Sequence, residues 1–188
     1  MILYRKAQSG TVLDSIQAKY PAIKNLGNIT LKADTAFTSD KTGVGDIEYF
    51  SPDSGRDTIT YSNGYKYPHP NPGTNAIVYN PKTNTQEDIF LDLLHGMPAS
   101  DPEYNKLREN FKQQTLRDRG EDIKYFYQKD KEQGKASDGY ESWVDNYVDG
   151  LIRSELSSDT TGGYFIERQG NSPEMKALAT KLKIYLQQ

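Results

Sequence analysis

The chain has 188 residues, with 23 basic against 26 acidic side chains and a formal net charge of -3, and so balanced a mixture of signs excludes a dedicated nucleic-acid binder, which carries a basic surplus. No cysteine is present, which excludes disulfides, thiolate zinc sites and cysteine nucleophiles, and no run approaches the about 18 apolar residues of a membrane helix. Mean hydropathy is low at -0.83, but 14 Tyr, 6 Phe and one Trp are too many for a solvating tail, so the expectation is a single folded domain over residues 1–188.

The first third is polar with short apolar pieces. Val12, Leu13 and Ile16 fit a short helix over Thr11 to Tyr20, stopped ahead of Pro21 because the residue before a proline is pushed out of the helical region. Ile29, Leu31 and Ala33 alternate with Asn28, Thr30 and Lys32, the two-residue period of a half-buried strand, and Asp46 to Phe50 reads as another strand after a loop over Thr35 to Gly45. Thr58-Ile59-Thr60-Tyr61 and Tyr65-Lys66-Tyr67 flank Ser62-Asn63-Gly64, where the Asn-Gly step supplies the positive φ angles of a tight hairpin. The prolines of Pro68-His69-Pro70-Asn71-Pro72-Gly73 exclude strand or helix interior there. Ala76 to Asn80 is a compact apolar strand closed by Pro81. Residues 1–82 are therefore expected to be mainly β and loops, forming a small antiparallel sheet.

From residue 85 the period becomes helical. Thr85-Gln86-Glu87-Asp88 has the form of a capping box, and Ile89, Phe90, Leu93, Leu94 and Met97 make an apolar stripe ended by Gly96 and Pro98. Ser100-Asp101-Pro102-Glu103 opens a second helix, with Ser100 as cap, Pro102 in the first turn and Tyr104, Leu107 and Phe111 on the apolar face. Further helices are expected over Glu121 to Gln133 and Asp138 to Leu156, separated at Gly134, and a last one starts at Ser172-Pro173-Glu174 and carries Met175, Leu178, Leu182 and Tyr185. The glycine-rich Thr42-Gly43-Val44-Gly45-Asp46 reads as a turn, and Gly162-Gly163-Tyr164 as a linker. Strands first and helices afterwards is the α+β pattern, a sheet in the N-terminal half followed by a helical half over 85–188.

Only two histidines, His69 and His95, are available for chemistry. Asp88, Asp92 and His95 stand at i, i+4 and i+7 and share one helix face. A carboxylate beside an imidazole fixes its tautomer, and the two together hold a metal or activate a water. The plainer alternative makes Asp88 a charge favoured by the helix dipole, and Asp92 and His95 a structural hydrogen bond. His69 is either an exposed loop residue or a further ligand, with Asp145, Asp149 and Glu155 as downstream carboxylates. Trp143, Val144, Tyr147, Val148, Leu151 and Leu156 make a core face, while Asp145, Asp149 and Arg153 recur every four residues as a solvated ladder with an Asp149–Arg153 ion pair. The serine-hydrolase elbow, the phosphate loop and the dinucleotide fingerprint are absent from the sequence.

A small sheet whose last strand leads directly into a helix carrying Leu91-Asp92-Leu93-Leu94-His95 resembles the core of zincin-type metallopeptidases, whose helix bears His-Glu-x-x-His. His95 matches the second histidine, Asp92 matches the acid in charge, and Leu91, which ligates nothing, stands where the first histidine belongs. The resemblance implies a zincin-like fold with a degenerate site, no cofactor, and a structural or interaction role. Its rival is a metal-dependent hydrolase of peptide or cell-wall bonds, with Asp92 as catalytic base and zinc or another divalent ion drawing on His95, His69, Asp92 and Asp149. Gly45 to Phe50, Asn63 to Gly73 and Leu91 to Met97 also resemble segments of proteins encoded by tailed bacteriophages. That likeness and the tyrosine content imply other protein subunits as partners, in a virion assembly. Met1 to Lys6 lacks the apolar core of a signal peptide, so cytoplasmic synthesis followed by virion association is expected, with no nucleic-acid readout and no membrane span.

Overall fold

The computed structural model describes residues 2–37, 47–52, 58–60, 66–136, 139–158 and 169–188. They divide into two compact units, Met1–Asp101 with Leu186–Gln188, and Pro102–Tyr185. The first unit opens with α1 (Ile2–Lys19) and a 3-10 turn (Pro21–Leu26). Its strands are β1 (Ile29–Ala33), β2 (Ile47–Phe50), β3 (Thr58–Thr60), β4 (Lys66–Pro68) and β5 (Asn75–Tyr79). Helix α2 (Gln86–Leu93), a 3-10 turn (Leu94–Gly96) and the single turn α3 (Met97–Ser100) complete it. The α+β class is as expected, and no helix among the described residues is long and apolar enough to cross a membrane.

Helix α1 begins well before Thr11 because Leu3, Arg5, Lys6, Ala7 and Gln8 are all good helix formers, even without an apolar stripe to announce them. It stops at Lys19, ahead of Pro21, which instead starts the 3-10 turn.

Strand β5 lies at the centre of the main sheet, in the order β1-β5-β2. Strand β2 runs antiparallel to it, with Ile47 opposite Tyr79 and Phe50 opposite Ala76, but β1 runs parallel, with Ile29 opposite Asn75 and Ala33 opposite Tyr79. The sheet is therefore mixed rather than antiparallel. The long connection from Ala33 to Asn75 returns the chain in the same direction, which a hairpin cannot do. The expected hairpin is present as a separate pair, with Ile59 opposite Tyr67 and Thr58 opposite Pro68, while its Asn-Gly turn lies outside the described residues. Pro68 is the last residue of β4, a strand end where a missing donor is tolerated.

Every residue of β5 is buried, so both of its faces are covered. Ala76 and Val78 pack with Phe37, Phe50 and Tyr67 on one face. Tyr67 is fixed there by donating its hydroxyl to Asp34 Oδ2 (2.8 Å), and that bond, before any other cause, holds the Asp34 carboxyl below its ordinary range. Asn75, Ile77 and Tyr79 alternate to the other face, where α2 lies against β5 and β2. The α2 cap is formed as expected, Thr85 Oγ1 accepting from Asp88 N (3.2 Å) and Asp88 Oδ2 accepting from Thr85 N (2.6 Å). Ile89, Phe90, Leu93, Leu94 and Met97 are all buried, and the Phe90 ring stacks on Tyr20, with centroids 3.8 Å apart. Gly96 and Pro98 do not end the helical path. The chain continues through the 3-10 turn into α3, where Pro98 sits in the first turn, a position that needs no amide donor.

The second unit consists of α4 (Pro102–Glu132), α5 (Tyr140–Leu156) and α6 (Pro173–Leu186, whose last residue belongs to the first unit). Helix α4 joins the two helices expected at Pro102 and Glu121, with Arg119 alone outside helical geometry (φ -134°, ψ 16°). Ser100 is the last residue of α3 and does not cap α4. The extended residue ahead of Pro102 is Asp101, buried and bonded by Asn25 Nδ2 (2.7 Å). Gly134 closes α4 at φ +68°, with Gly134 N donating to Lys131 O and Lys135 N to Asp130 O, the paired bonds of a Schellman cap. Helix α6 starts where the sequence places it, and Ser172 Oγ accepts from Met175 N (3.1 Å). The glycine-rich turn at 42–46 and the linker at 162–164 lie outside the described residues.

Gly96 limits how closely α2 and the sheet approach each other. A methyl group there would come within 2.6 Å of Asn75 Oδ1 and of the Tyr49 hydroxyl, and 2.9 Å of Leu26 Cδ2. Gly96→Ala should therefore destabilise the first unit by about 2 kcal/mol, the usual cost of overpacking. Gly10→Ala, where nothing lies within 4 Å, should not destabilise it. Chemical denaturation of the two variants checks the difference.

Candidate functional site

Leu91 and Asp92 lie in the last turn of α2, while His95 lies in the 3-10 turn that follows. The tighter 3-10 winding rotates position 95 away from the line it would hold on a continuous α-helix. His95 is exposed and its ring stacks on Tyr49, with centroids 5.7 Å apart and planes at 22°. The Tyr49 hydroxyl donates to Asn75 Oδ1 (2.5 Å), and Asn75 Nδ2 donates to Leu26 O (2.8 Å). A chain of hydrogen bonds thus runs from the 3-10 turn after α1, through β5 and β2, to the ring beneath His95. Gly96 rests directly on it.

Of the face expected at Asp88, Asp92 and His95, Asp88 is committed to the cap of its own helix, in keeping with the dipole reading. Asp92 is half-buried. His69 is not an exposed loop residue. It is 7 % exposed, its ring edge meets Phe50 (5.3 Å), and its Nδ1 accepts from Asn71 N (3.1 Å). Two prolines flank His69, yet the turn folds the imidazole inward as a lid on the apolar face of β2. Nε2 is buried and finds no hydrogen-bond partner among the described residues. With one nitrogen taken and the other enclosed, His69 offers no accessible lone pair to an ion. Among the described residues no three His, Asp or Glu side chains converge as a metal site.

Asp149 belongs to the second unit and is held there by Arg108, which sequence reasoning missed. Arg108 Nε donates to Asp149 Oδ1 (2.6 Å), Nη2 donates to Asp149 Oδ2 (3.0 Å) and Asp145 Oδ1 (3.2 Å), and Nη1 pairs with Glu109 Oε1 (2.9 Å). Lys112 Nζ completes the cluster on Asp145 Oδ1 (2.8 Å). The carboxylates expected as a solvated ladder are the α5 side of an interhelical ion-pair cluster, around a guanidinium only 7 % exposed. The signal was present in the spacing. Tyr104, Arg108, Phe111 and Thr115 are the buried positions of α4 before Arg119, at i, i+4, i+7 and i+11, so the arginine stands in the apolar stripe, while Leu107 is only half-buried. Glu155, another candidate carboxylate, accepts from Asn171 Nδ2 (2.8 Å). The core face of α5 is as predicted, with Val144, Tyr147, Val148, Leu151 and Leu156 buried and Trp143 half-buried.

Comparison with protein-family models, with curated proteins and with solved structures finds no match to this chain.

Burial alone would push the Asp145 carboxyl up, but the Lys112 bond and the Arg108 and Lys112 charges outweigh it and hold the group below its ordinary range. Burial likewise opposes the Arg108 charge, and the Asp149 and Asp145 carboxylates more than reverse the effect. A carboxyl depressed in the folded state gives stability that is present above its unfolded value and lost as pH falls through the lowered one. The second unit should therefore weaken below about pH 4, and Asp145→Asn should flatten that fall in acid titrations followed by circular dichroism. Arg108→Ala leaves two carboxylates facing one another, and should cost about 2 kcal/mol, between the buried and exposed limits for broken ion pairs. Arg108→Lys should recover only part of this in denaturation, because an ammonium cannot bond both carboxylates as the planar fork does.

Proposed function

We propose that the chain is a non-catalytic structural or interaction protein built on a degenerate zincin-like site. The observation that carries this reading is the state of the helix at positions 91–95. Leucine occupies the place of one imidazole, and the remaining histidine lies beyond the α-helix, stacked on Tyr49. Zincin chemistry needs two imidazoles one turn apart to grip the ion, and an acid placed to activate the water on it. Neither need is met by Leu91 and Asp92, since leucine has no donor and aspartate is one methylene shorter than glutamate. The partners of this reading are other protein subunits, in an assembly such as a phage particle. Tyr125, 65 % exposed, and its ring partner Phe126, 37 % exposed, are surface aromatics of the kind that protein interfaces use.

Metal analysis of the purified chain, together with hydrolysis assays on peptide and peptidoglycan substrates, tests this reading. The expected result is substoichiometric divalent metal, no turnover, and a His95→Ala variant that folds like the parent. A stoichiometric divalent ion, with hydrolysis that disappears in His95→Ala, would overturn the reading in favour of a metal-dependent hydrolase using His95 and Asp92.

A further inference from the structure

We infer that the C-terminal arm of α4, residues 120–132, is a hinged element that undocks from α5 independently of the rest of the second unit. The break at Arg119 divides α4 into two stretches of different character. Before it, Tyr104, Arg108, Phe111 and Thr115 are buried. After it, only Ile123 is buried, and the other residues of the arm are exposed or half-exposed. So few buried groups place the arm at the low end of local stability, where a segment opens without global unfolding.

Among the described residues the arm is held by contacts at its base and near its tip. At the base, Arg119 Nη1 donates to Asn171 Oδ1 (3.3 Å) and its guanidinium lies 5.9 Å from the Tyr147 ring centroid. Asn171 is itself buried and donates from Nδ2 to Glu155 Oε1, so one amide ties the hinge to the end of α5. Near the tip, Trp143 Nε1 donates to Asp130 Oδ2 (3.2 Å), and the Tyr127 ring packs edge-on against Trp143 (5.7 Å) and Tyr140 (5.1 Å). Gly120 beside the break lacks the side chain that would stiffen it. On opening, the arm carries with it the exposed rings of Tyr125 and Phe126.

The chain's one tryptophan is half of the tip clasp, so it reports docking without a label. Hydrogen exchange of the full chain should show amides 121–132 exchanging at least about tenfold faster than those of 104–115, as local opening of the arm alone would produce. Asn171→Ala and Asp130→Ala loosen the two contacts independently. Each should accelerate exchange in the arm selectively and raise acrylamide quenching of Trp143, with amides 104–115 unchanged. Equal exchange rates in the two stretches of the parent would overturn the inference. So would variants that accelerate both stretches alike, since the arm would then be a fixed part of one cooperative unit. If Asn171→Ala fails to fold, the half-exposed Asp130 still provides the test.

Discussion

The absence of a side chain at Gly96 is the constraint on which the arrangement of the first unit depends. Because no methyl group stands there, the 3-10 turn after α2 settles within contact distance of the Asn75 amide and the Tyr49 hydroxyl. Those two groups are bonded to each other, and Asn75 is bonded onward to the Leu26 carbonyl. A helix, the central strand and an edge strand are thereby held at one point by groups that all have partners. A buried asparagine at the start of an apolar central strand would otherwise be costly. Here both of its ends are satisfied, and it ties β5 to β2 and to the 3-10 turn after α1.

The same closeness decides what His95 can do. Its backbone is drawn into the 3-10 turn, and its ring lies on the face of Tyr49, whose own tip is anchored inside the protein. An imidazole held flat on an aromatic ring at the surface differs from one aimed, with a neighbour a turn away, into a cleft. The first unit thus uses its second histidine as it uses its first. His69 covers the apolar face of β2 with one nitrogen bonded to the adjacent turn, and His95 covers an aromatic ring. The His69 ring meets Phe50 edge-on, and the His95 ring lies over Tyr49 at the surface. The charges that do form a dense cluster, around Arg108, lie between two helices and serve to hold them together.

Much of this was readable in the sequence, for identifiable reasons. The strand at Ile29, Leu31 and Ala33, the run at 76–79, the Thr85–Asp88 box and the helix start at Ser172 each depend on neighbours within a few residues, and each formed as expected. The parallel pairing of β1 with β5 was not readable, because it is set by a long connection and not by either strand's own pattern. Nor was the inward turn of His69. A histidine between two prolines reads as loop, and only the meeting with Phe50 of β2 shows that the loop folds over a core. Arg108 has no signal in its residue type, since a charged side chain on a helix usually faces water, although its spacing from Tyr104 and Phe111 places it among buried positions. Tyr49 and Gly96, which determine the surroundings of His95, carry no local signal of that role, since their partners come from other elements.

The proposed reading makes His95 a packing group on Tyr49 rather than a metal ligand, and the two imidazoles can be watched directly because the chain has no others. Long-range proton–nitrogen NMR spectra of the histidine rings during a zinc titration test it most plainly. The account predicts that the ring nitrogens of His95 keep their shifts through one equivalent of zinc, with the Tyr49 ring-current signature intact. A stoichiometric shift of one His95 nitrogen, accompanied by movement of the Asp92 carboxylate resonance, would contradict it.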